Sequence, residues 1–425
     1  MKAAVEVLDD MFGRHRTAAT ALADWGKAHR FAGSGDRSAI GSLVFDALRR
    51  RRSIAARLGA DTPRALVLGA AAGAYGLGAE DLQAAADGSV HALEPLTDTE
   101  MAALASPPPA DMPADVAGDF PEWLAPSLTR AFGERAAAEG AALAARAPID
   151  LRVNTLKSTR DRVLSELASS GAVATPLSPL GVRIPAPNGQ SKAPHVEAEG
   201  AHGKGWYEVQ DEGSQIAALL SGASARAQVL DLCAGAGGKT LALAAMMQNT
   251  GQIYAYDEDK LQLRPIFDRL QRAGARNVQV LNAGNEGQLL ALGPRFDLVL
   301  ADAPCTGSGT WRRRPDAKWR LKPQNLAERQ KDQRTVLALA ARLVKPGGRI
   351  VYVTCSVLPE ENTDQVARLI AEHPEFSVVP HAEVWAATIG GTPPTSADGR
   401  DDGLLLTPAS HGTDGFFIAV LLKRA

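Results

Sequence analysis

The sequence predicts an α/β protein in which a doubly wound, Rossmann-like C-terminal domain follows a small α/β subdomain and an all-α N-terminal domain. Three observations predict it. From about residue 205 onward, short β-branched runs alternate with helical stretches; before about residue 105 the chain is rich in Ala and Leu, with apolar positions at helical spacing; a proline cluster separates the two regimes. Nearly continuous apolar strands between helices indicate a parallel sheet covered on both faces. At 425 residues the chain is also longer than one hydrophobic core usually supports.

Residues 1–105 read as a helical bundle. Within it, Asp36 to Arg52 carries an apolar face (Ile40, Val44, Leu48) and then Arg49, Arg50, Arg51 and Arg52. Such a run serves equally as a solvated helix end that complements the dipole and as a contact for RNA phosphates. Residues 106–119, with Pro107, Pro108, Pro109 and Pro113, cannot continue a helix and read as a linker. Residues 120–204 form the small α/β subdomain, similar to an RNA-recognition motif: helical over Phe120–Arg146, strand-like over Ile149–Asn154, helical over Arg160–Ser169 and strand-like over Val173–Ile184. Its Arg152, Lys157 and Arg160 suit either an RNA platform or a plain structural subdomain. Residues 205–425 carry strands at Val229–Leu232, Gln252–Tyr256, Asn277–Leu281, Phe296–Ala301 and Arg349–Thr354. Ligands of such a sheet sit at the carboxyl ends of its strands.

Composition removes several classes. With 45% hydrophobic and 22% charged residues, the chain has the balance of a soluble globular protein, and no apolar run is long enough to span a bilayer. Met1 to Arg16 has none of the features of a secretion signal, so a cytoplasmic protein without a membrane partner is expected. The net charge of -2 decides nothing about polyanionic partners, because nucleic-acid binding needs a basic face and not a basic total. Three widely spaced cysteines, Cys233, Cys305 and Cys355, fit neither a disulfide framework nor a zinc site. No metal is expected, and a monomer is.

Val229 to Thr240 is a strand running into a glycine-rich turn and then a helix. Glycines there let backbone amides approach a ligand closely. A P-loop would need a glycine where Cys233 stands, and the dinucleotide pattern is broken by Thr240 after Gly235, Gly237 and Gly238. Asp257, ending the next strand, is placed to hold a ribose diol in a dinucleotide or an adenosyl cofactor. A methyltransferase reading uses all of these features.

The fourth strand runs into Asp302-Ala-Pro-Cys305, and the fifth into Thr354-Cys355-Ser356. On adjacent parallel strands both thiols would project from one edge, beside the glycine-rich turn. Two cysteines facing one pocket suit a reaction at cytosine carbon 5, which is too weak a nucleophile to take a methyl group unaided. A thiolate adding to carbon 6 makes carbon 5 an enamine terminus. A free thiol titrates near 8.5, so a cation must favour the thiolate, and Lys239 is the visible candidate. Asp302 would hold the cytosine edge. Which cysteine attacks stays open on these residues. Between the two motifs lie Trp311, Arg312, Arg313, Arg314, Lys318 and Trp319, cations interleaved with tryptophans as phosphate contact and base stacking require.

Taken together, Asp231 to Thr240, Asp302 to Gly309, Arg312 to Asp316 with Trp319, Thr354 to Asn362, Thr413 to Phe417 and Gln210 to Gln215 resemble the Nop/Sun family of RNA cytosine-5 methyltransferases, over roughly residues 120–425. The N-terminal helices, with Asp36-Arg37 and the arginine run, resemble the NusB-like RNA-binding domain of the RsmB/Sun branch, which modifies small-subunit ribosomal RNA. The resemblance implies a Rossmann-like S-adenosylmethionine-dependent methyltransferase domain, Cys355 as the nucleophile and Cys305 as the residue assisting product release. It also implies cofactor contacts from Cys233, Ala234, Gly235, Ala236, Gly237, Gly238, Lys239, Asp257 and Asp302, with RNA as the partner. A transfer RNA substrate and a non-catalytic RNA assembly factor are the alternatives. Two positions depart from the family: Gly235 and Ala236 replace Ala-Pro, and Ala283, Gly284 and Asn285 stand where an acidic residue usually meets the adenine amine.

Overall fold

The computed structural model describes residues 1–187 and 194–425; residues 188–193, inside the expected 120–204 subdomain, lie outside the described residues. Packing divides the described residues into two units. One holds Met1–Arg146, Pro187 and Trp311–Leu321; the other holds Ala147–Ala186, Pro194–Thr310 and Lys322–Ala425.

The first unit is all-helical. The helices Lys2–Gly13, Ser34–Arg49 and Pro63–Tyr75 bury Val7, Leu8, Val44, Leu48, Leu66 and Leu68 in a common core. The Pro63–Tyr75 helix starts where its sequence says it should, with Thr62 Oγ1 accepting the Ala65 N–H and Pro63 at the first helical position. The prolines do end the helix Asp98–Ala105, but residues 106–119 are not a loose tether. Ala114–Ala117 is a helical turn; Arg52 pairs with buried Asp115 at 2.6 Å, and Ser53 donates to buried Asp119. The helices Ala125–Phe132 and Ala136–Leu143 pack with this unit, not with the α/β subdomain that the prolines were expected to introduce.

The second unit contains two sheets. The smaller has strands β1 (Ile149–Val153), β2 (Val173–Ala174), β3 (Gly181–Ile184) and β4 (Tyr207–Val209) in the order β2-β3-β1-β4, all antiparallel. With the helices Arg160–Glu166 and Gly200–Gly203 this is the β-α-β-β-α-β ferredoxin-like arrangement. What reads as one strand-like stretch over Val173–Ile184 is a hairpin.

The larger sheet comprises β5 (Gln228–Asp231), β6 (Gln252–Ala255), β7 (Val278–Val280), β8 (Phe296–Asp302), β9 (Val344–Thr354), β10 (Phe376–Val379), β11 (Leu404–Leu406) and β12 (Phe416–Lys423). Its order is β10-β12-β9-β8-β5-β6-β7, with β11 paired to β12. β5 to β9 are mutually parallel, and β12 runs antiparallel between β9 and β10. The five parallel strands are those the apolar runs predict. Val229, Ile253, Leu298, Leu300, Val351 and Val353 are buried in one core, as a sheet covered on both faces requires. Strand order reverses at β5, which has β6 on one side and β8 on the other. That switch point is where such sheets open a ligand crevice.

Candidate active site

The turn after β5 is built for close approach by a ligand. Gly237 has φ +84°, and a Cβ on it would lie 2.5 Å from Ile266 Cγ1, so both conformation and space exclude a side chain. The helix Gly238–Met246 starts there, with its first amides unpaired within the helix. Asp257, just beyond β6, accepts the Gly235 N–H at 2.8 Å through Oδ2 and the Asp259 N–H at 2.8 Å through Oδ1. Two guanidiniums grip the turn's carbonyls: Arg269 Nη1 donates to Ala236 O at 2.8 Å, and Arg152 Nη2 donates to Gly238 O at 3.3 Å. Arg269 and Arg272 both pair with buried Glu208. Arg152 is 3% exposed, so one of the three cations suited to an RNA platform is buried in the fold, while Lys157 is exposed with its Nζ donating to Arg272 O.

A cavity of 1120 Å³ opens over this turn. Every expected cofactor residue except Gly237 lines it, including Cys233, Lys239, Asp257 and Asp302. Gly284 and Glu286 line it too, so a carboxylate enters it just past the stretch where the family pattern has no acidic match. Backbone amides, a carboxylate at the end of β6 and a second carboxylate at the end of β8 form a donor and acceptor set that fits an adenosyl amino acid. Under the turn, burial pushes Asp231 up to about 7, with Thr240 Oγ1 donating to it at 2.6 Å. Lys239 Nζ donates to Asp302 at 2.6 Å. The ammonium expected to favour a thiolate is thus paired with the carboxylate at the end of β8.

Beyond β8 and β9 the two thiols meet. Cys305 Sγ lies 3.3 Å from Cys355 Sγ, and both residues are half-buried. The loops that carry them are joined at several points. Gly309 N donates to Cys355 O at 2.9 Å, Ser308 and Ser356 hydroxyls are 2.9 Å apart, and Thr354 Oγ1 bonds Asn362 Oδ1. Gly415 N donates to Gly309 O at 2.8 Å, which brings the Thr413 to Phe417 motif to the same place. Further along, Asp211 accepts the Asp414 and Gly213 N–H groups, and Glu212 accepts those of Leu177 and Ser178. The Gln210 to Gln215 motif thus fastens the ferredoxin-like sheet to the larger one.

Electrostatics raise two of the thiols. The Cys305 thiol is pushed well up, first by its hydrogen bond to Cys355, then by burial, the Cys355 charge and the nearby Glu361 carboxyl. The two sulfurs are close enough to share a hydrogen bond, in which either can be the donor. Cys233 is likewise pushed up by burial and by Asp257, Asp302 and Asp231, which keeps it a neutral thiol.

The expected RNA contacts divide. Arg312 is 4% exposed and Lys318 is 1% exposed. Lys318 Nζ donates to Arg49 O at 3.0 Å, Arg49 Nη2 to Arg312 O at 3.2 Å and Trp319 Nε1 to Leu48 O at 2.6 Å. Burial drops Lys318 to about 7. Arg49, Arg51 and Arg52 pair with Asp46, Asp61 and Asp115. These five side chains are engaged within the helical unit, where Lys318, Trp319 and Arg49 tie the basic loop to the arginine run and Arg51 and Arg52 are held by carboxylates. Arg50, Arg313 and Arg314 are exposed. Among the described residues no cluster of His, Cys, Asp or Glu could hold a metal, and no helix is long and apolar enough to cross a membrane.

Comparison with known proteins bears on the whole assembly. Residues 218–422 match the 16S rRNA methyltransferase RsmB/F family, and residues 120–189 match the ferredoxin-like domain of RsmF/B-like methyltransferases. Ribosomal RNA small subunit methyltransferase B of Sodalis glossinidius is 33% identical over 312 residues, covering 73% of this chain and 67% of that protein. A probable enzyme of the same name from Synechocystis is 33% identical over 313 residues, 72% of this chain and 67% of that one. Among solved structures, PH0851 superposes with a TM-score of 0.73 at 26% identity over 99% of this chain and 98% of its own. A methyltransferase homolog from Pyrococcus horikoshii gives 0.59 at 27% identity, over 73% and 97%. With its paired thiols over a glycine-rich crevice and a third of its residues shared across most of its length, this chain belongs to the RsmB/F family of 16S rRNA methyltransferases.

Proposed function

We propose that this chain forms 5-methylcytosine in small-subunit ribosomal RNA through a covalent adduct on Cys355. The supporting observation is the 3.3 Å separation of two thiols at neighbouring strand ends, beside the crevice. S-adenosylmethionine, when bound, supplies an electrophilic methyl group on sulfur. The turn Cys233–Lys239 and Asp257 would hold it, with Glu286 beside its adenine. Asp302, oriented by Lys239, would hold the polar edge of a cytosine.

The Cys355 thiolate would add to carbon 6, the electron pair of the 5,6 double bond would move to carbon 5, and carbon 5 would take the methyl group as the sulfonium's sulfur–methyl bond breaks and S-adenosylhomocysteine leaves. Loss of the proton from carbon 5 re-forms the double bond and breaks the carbon–sulfur bond. A base takes up that proton as Cys355 leaves as a thiolate, and Cys305, its sulfur 3.3 Å from that of Cys355, assists at this release stage. The helical residues 1–105 serve as a NusB-like RNA-binding domain, the ferredoxin-like sheet within 120–204 braces the cofactor turn through Arg152, and 205–425 is the catalytic domain. The enzyme works as a cytoplasmic monomer.

Incubating the purified protein with S-adenosylmethionine and undermethylated small-subunit ribosomal RNA, followed by nucleoside mass spectrometry, tests this reading. The expected product is 5-methylcytidine in that RNA. Methylation confined to transfer RNA would overturn the substrate, and RNA binding without turnover would favour an assembly factor.

A further inference from the structure

The loop carrying Cys305 is strapped from one side by a buried network that the reaction itself does not call for. Glu361, six residues past Cys355, is wholly buried, as are Gln333 and Tyr352. Glu361 Oε1 accepts the Thr306 N–H at 2.8 Å, and its Oε2 accepts the Thr306 hydroxyl. Gln333 Nε2, on the helix Pro323–Leu343, donates both to Glu361 Oε1 and to Pro304 O, each at 3.0 Å. The residues on both sides of Cys305 are therefore tied to one carboxyl, while Tyr352 O–H donates to the Glu361 carbonyl at 2.6 Å and ties that carboxyl's backbone to β9.

The arrangement carries a cost. Burial raises the Glu361 carboxyl, and Gln333 Oε1 has no partner among the described residues. A buried carboxyl and an unsatisfied amide oxygen are expensive in a core that apolar side chains would fill. Neither Glu361 nor Gln333 lines the crevice over the glycine-rich turn, so cofactor binding does not explain them.

We infer that Glu361 and Gln333 are positioning residues that hold the Cys305 thiol against Cys355, and so set the release of product without affecting attack. The part about release rests on the covalent reading above. With the strap cut, the Cys305 loop loses its anchors at Pro304 and Thr306, while the bonds from Gly309 to Cys355 and between Ser308 and Ser356 remain; Glu361 also bonds the Ser356 side chain, so Gln333→Ala is the cut confined to the Cys305 side. Attack should persist and release should slow. A residue needed only for folding would lose both together.

The test uses Glu361→Ala, Glu361→Gln and Gln333→Ala in the full chain, with two readouts. The first is bridging of the thiol pair by dibromobimane, whose fluorescence requires two sulfurs in close reach; Cys305→Ala sets the baseline. The second is the covalent RNA complex that survives denaturation. Bridging is expected to fall at least fivefold in Glu361→Ala, with a smaller fall in Gln333→Ala and in Glu361→Gln, which keeps shape but accepts fewer hydrogen bonds. The RNA complex is expected to accumulate, as in Cys305→Ala, with turnover down at least tenfold. Wild-type bridging and turnover in both alanine variants would overturn the inference. If Glu361→Ala does not fold, Gln333→Ala decides by the same readouts. If bridging falls but Cys305→Ala itself traps no RNA, the strap stands and the covalent reading fails.

Discussion

Three cysteines share one domain, and their surroundings give them different chemistry. Cys233 is walled by carboxylates, while Cys305 is pushed up by its contact with Cys355, by burial and by Glu361. The same logic makes Asp231 a pH-dependent element. Its folded value of about 7 lies above the unfolded value of about 4, so the folded state binds the proton more tightly. Its contribution to stability is therefore full below about pH 4 and is lost as pH rises through about 7, a change of roughly 2–4 kcal/mol. Urea unfolding of the free protein across pH 5 to 8 should show this decline, and Asp231→Asn, which can still accept from Thr240, should flatten it. At this scale the sequence was informative about type and not about partners. Cys305, Cys355, Asp302 and Lys239 are visible as residues in motifs, but that Lys239 serves Asp302, or that Glu361 grips Thr306, depends on contacts between residues 63 and 55 positions apart.

Among elements, the glycine contacts decide whether the two thiol loops can meet. A Cβ on Gly309 would lie 2.1 Å from Gly415 O, and backbone cannot move aside as a flexible side chain can. Gly309→Ala should cost about 1–3 kcal/mol, read as a lower urea midpoint at unchanged m, and should lower turnover even where the protein remains folded. The five parallel strands were legible because each is apolar on both faces. The strands β10, β11 and β12 were not: Phe416–Leu422 is an apolar run, yet nothing in its periodicity says that it inserts antiparallel between β9 and β10. Pro107 to Pro113 mark the end of a helix correctly and the end of a packing unit wrongly, because Asp115 and Asp119 tie the chain back to Arg52 and Ser53.

For the whole molecule, a net charge of -2 leaves RNA binding to local surfaces, and the structure narrows them. Of the eight arginines and lysines expected at RNA, only Arg50, Arg313 and Arg314 are exposed. Arg313→Ala and Arg314→Ala should each weaken RNA binding and reduce the slope of log K against log salt by about 1. Lys318→Met, measured while folded, should leave that slope unchanged, since a side chain 1% exposed cannot meet a phosphate. The motif resemblance foresaw the family across residues 120–425. It did not foresee which basic residues a fold would consume, because an arginine that pairs internally and one that faces solvent look alike in a sequence.

The central claim is that Cys355 attacks and Cys305 releases. Tandem mass spectrometry of the complex trapped by Cys305→Ala on ribosomal RNA tests it most directly: digestion should yield a peptide bearing one methylated cytidine nucleotide on Cys355. A nucleotide trapped on Cys305 in the Cys355→Ala variant, with none trapped on Cys355 in Cys305→Ala, would contradict it.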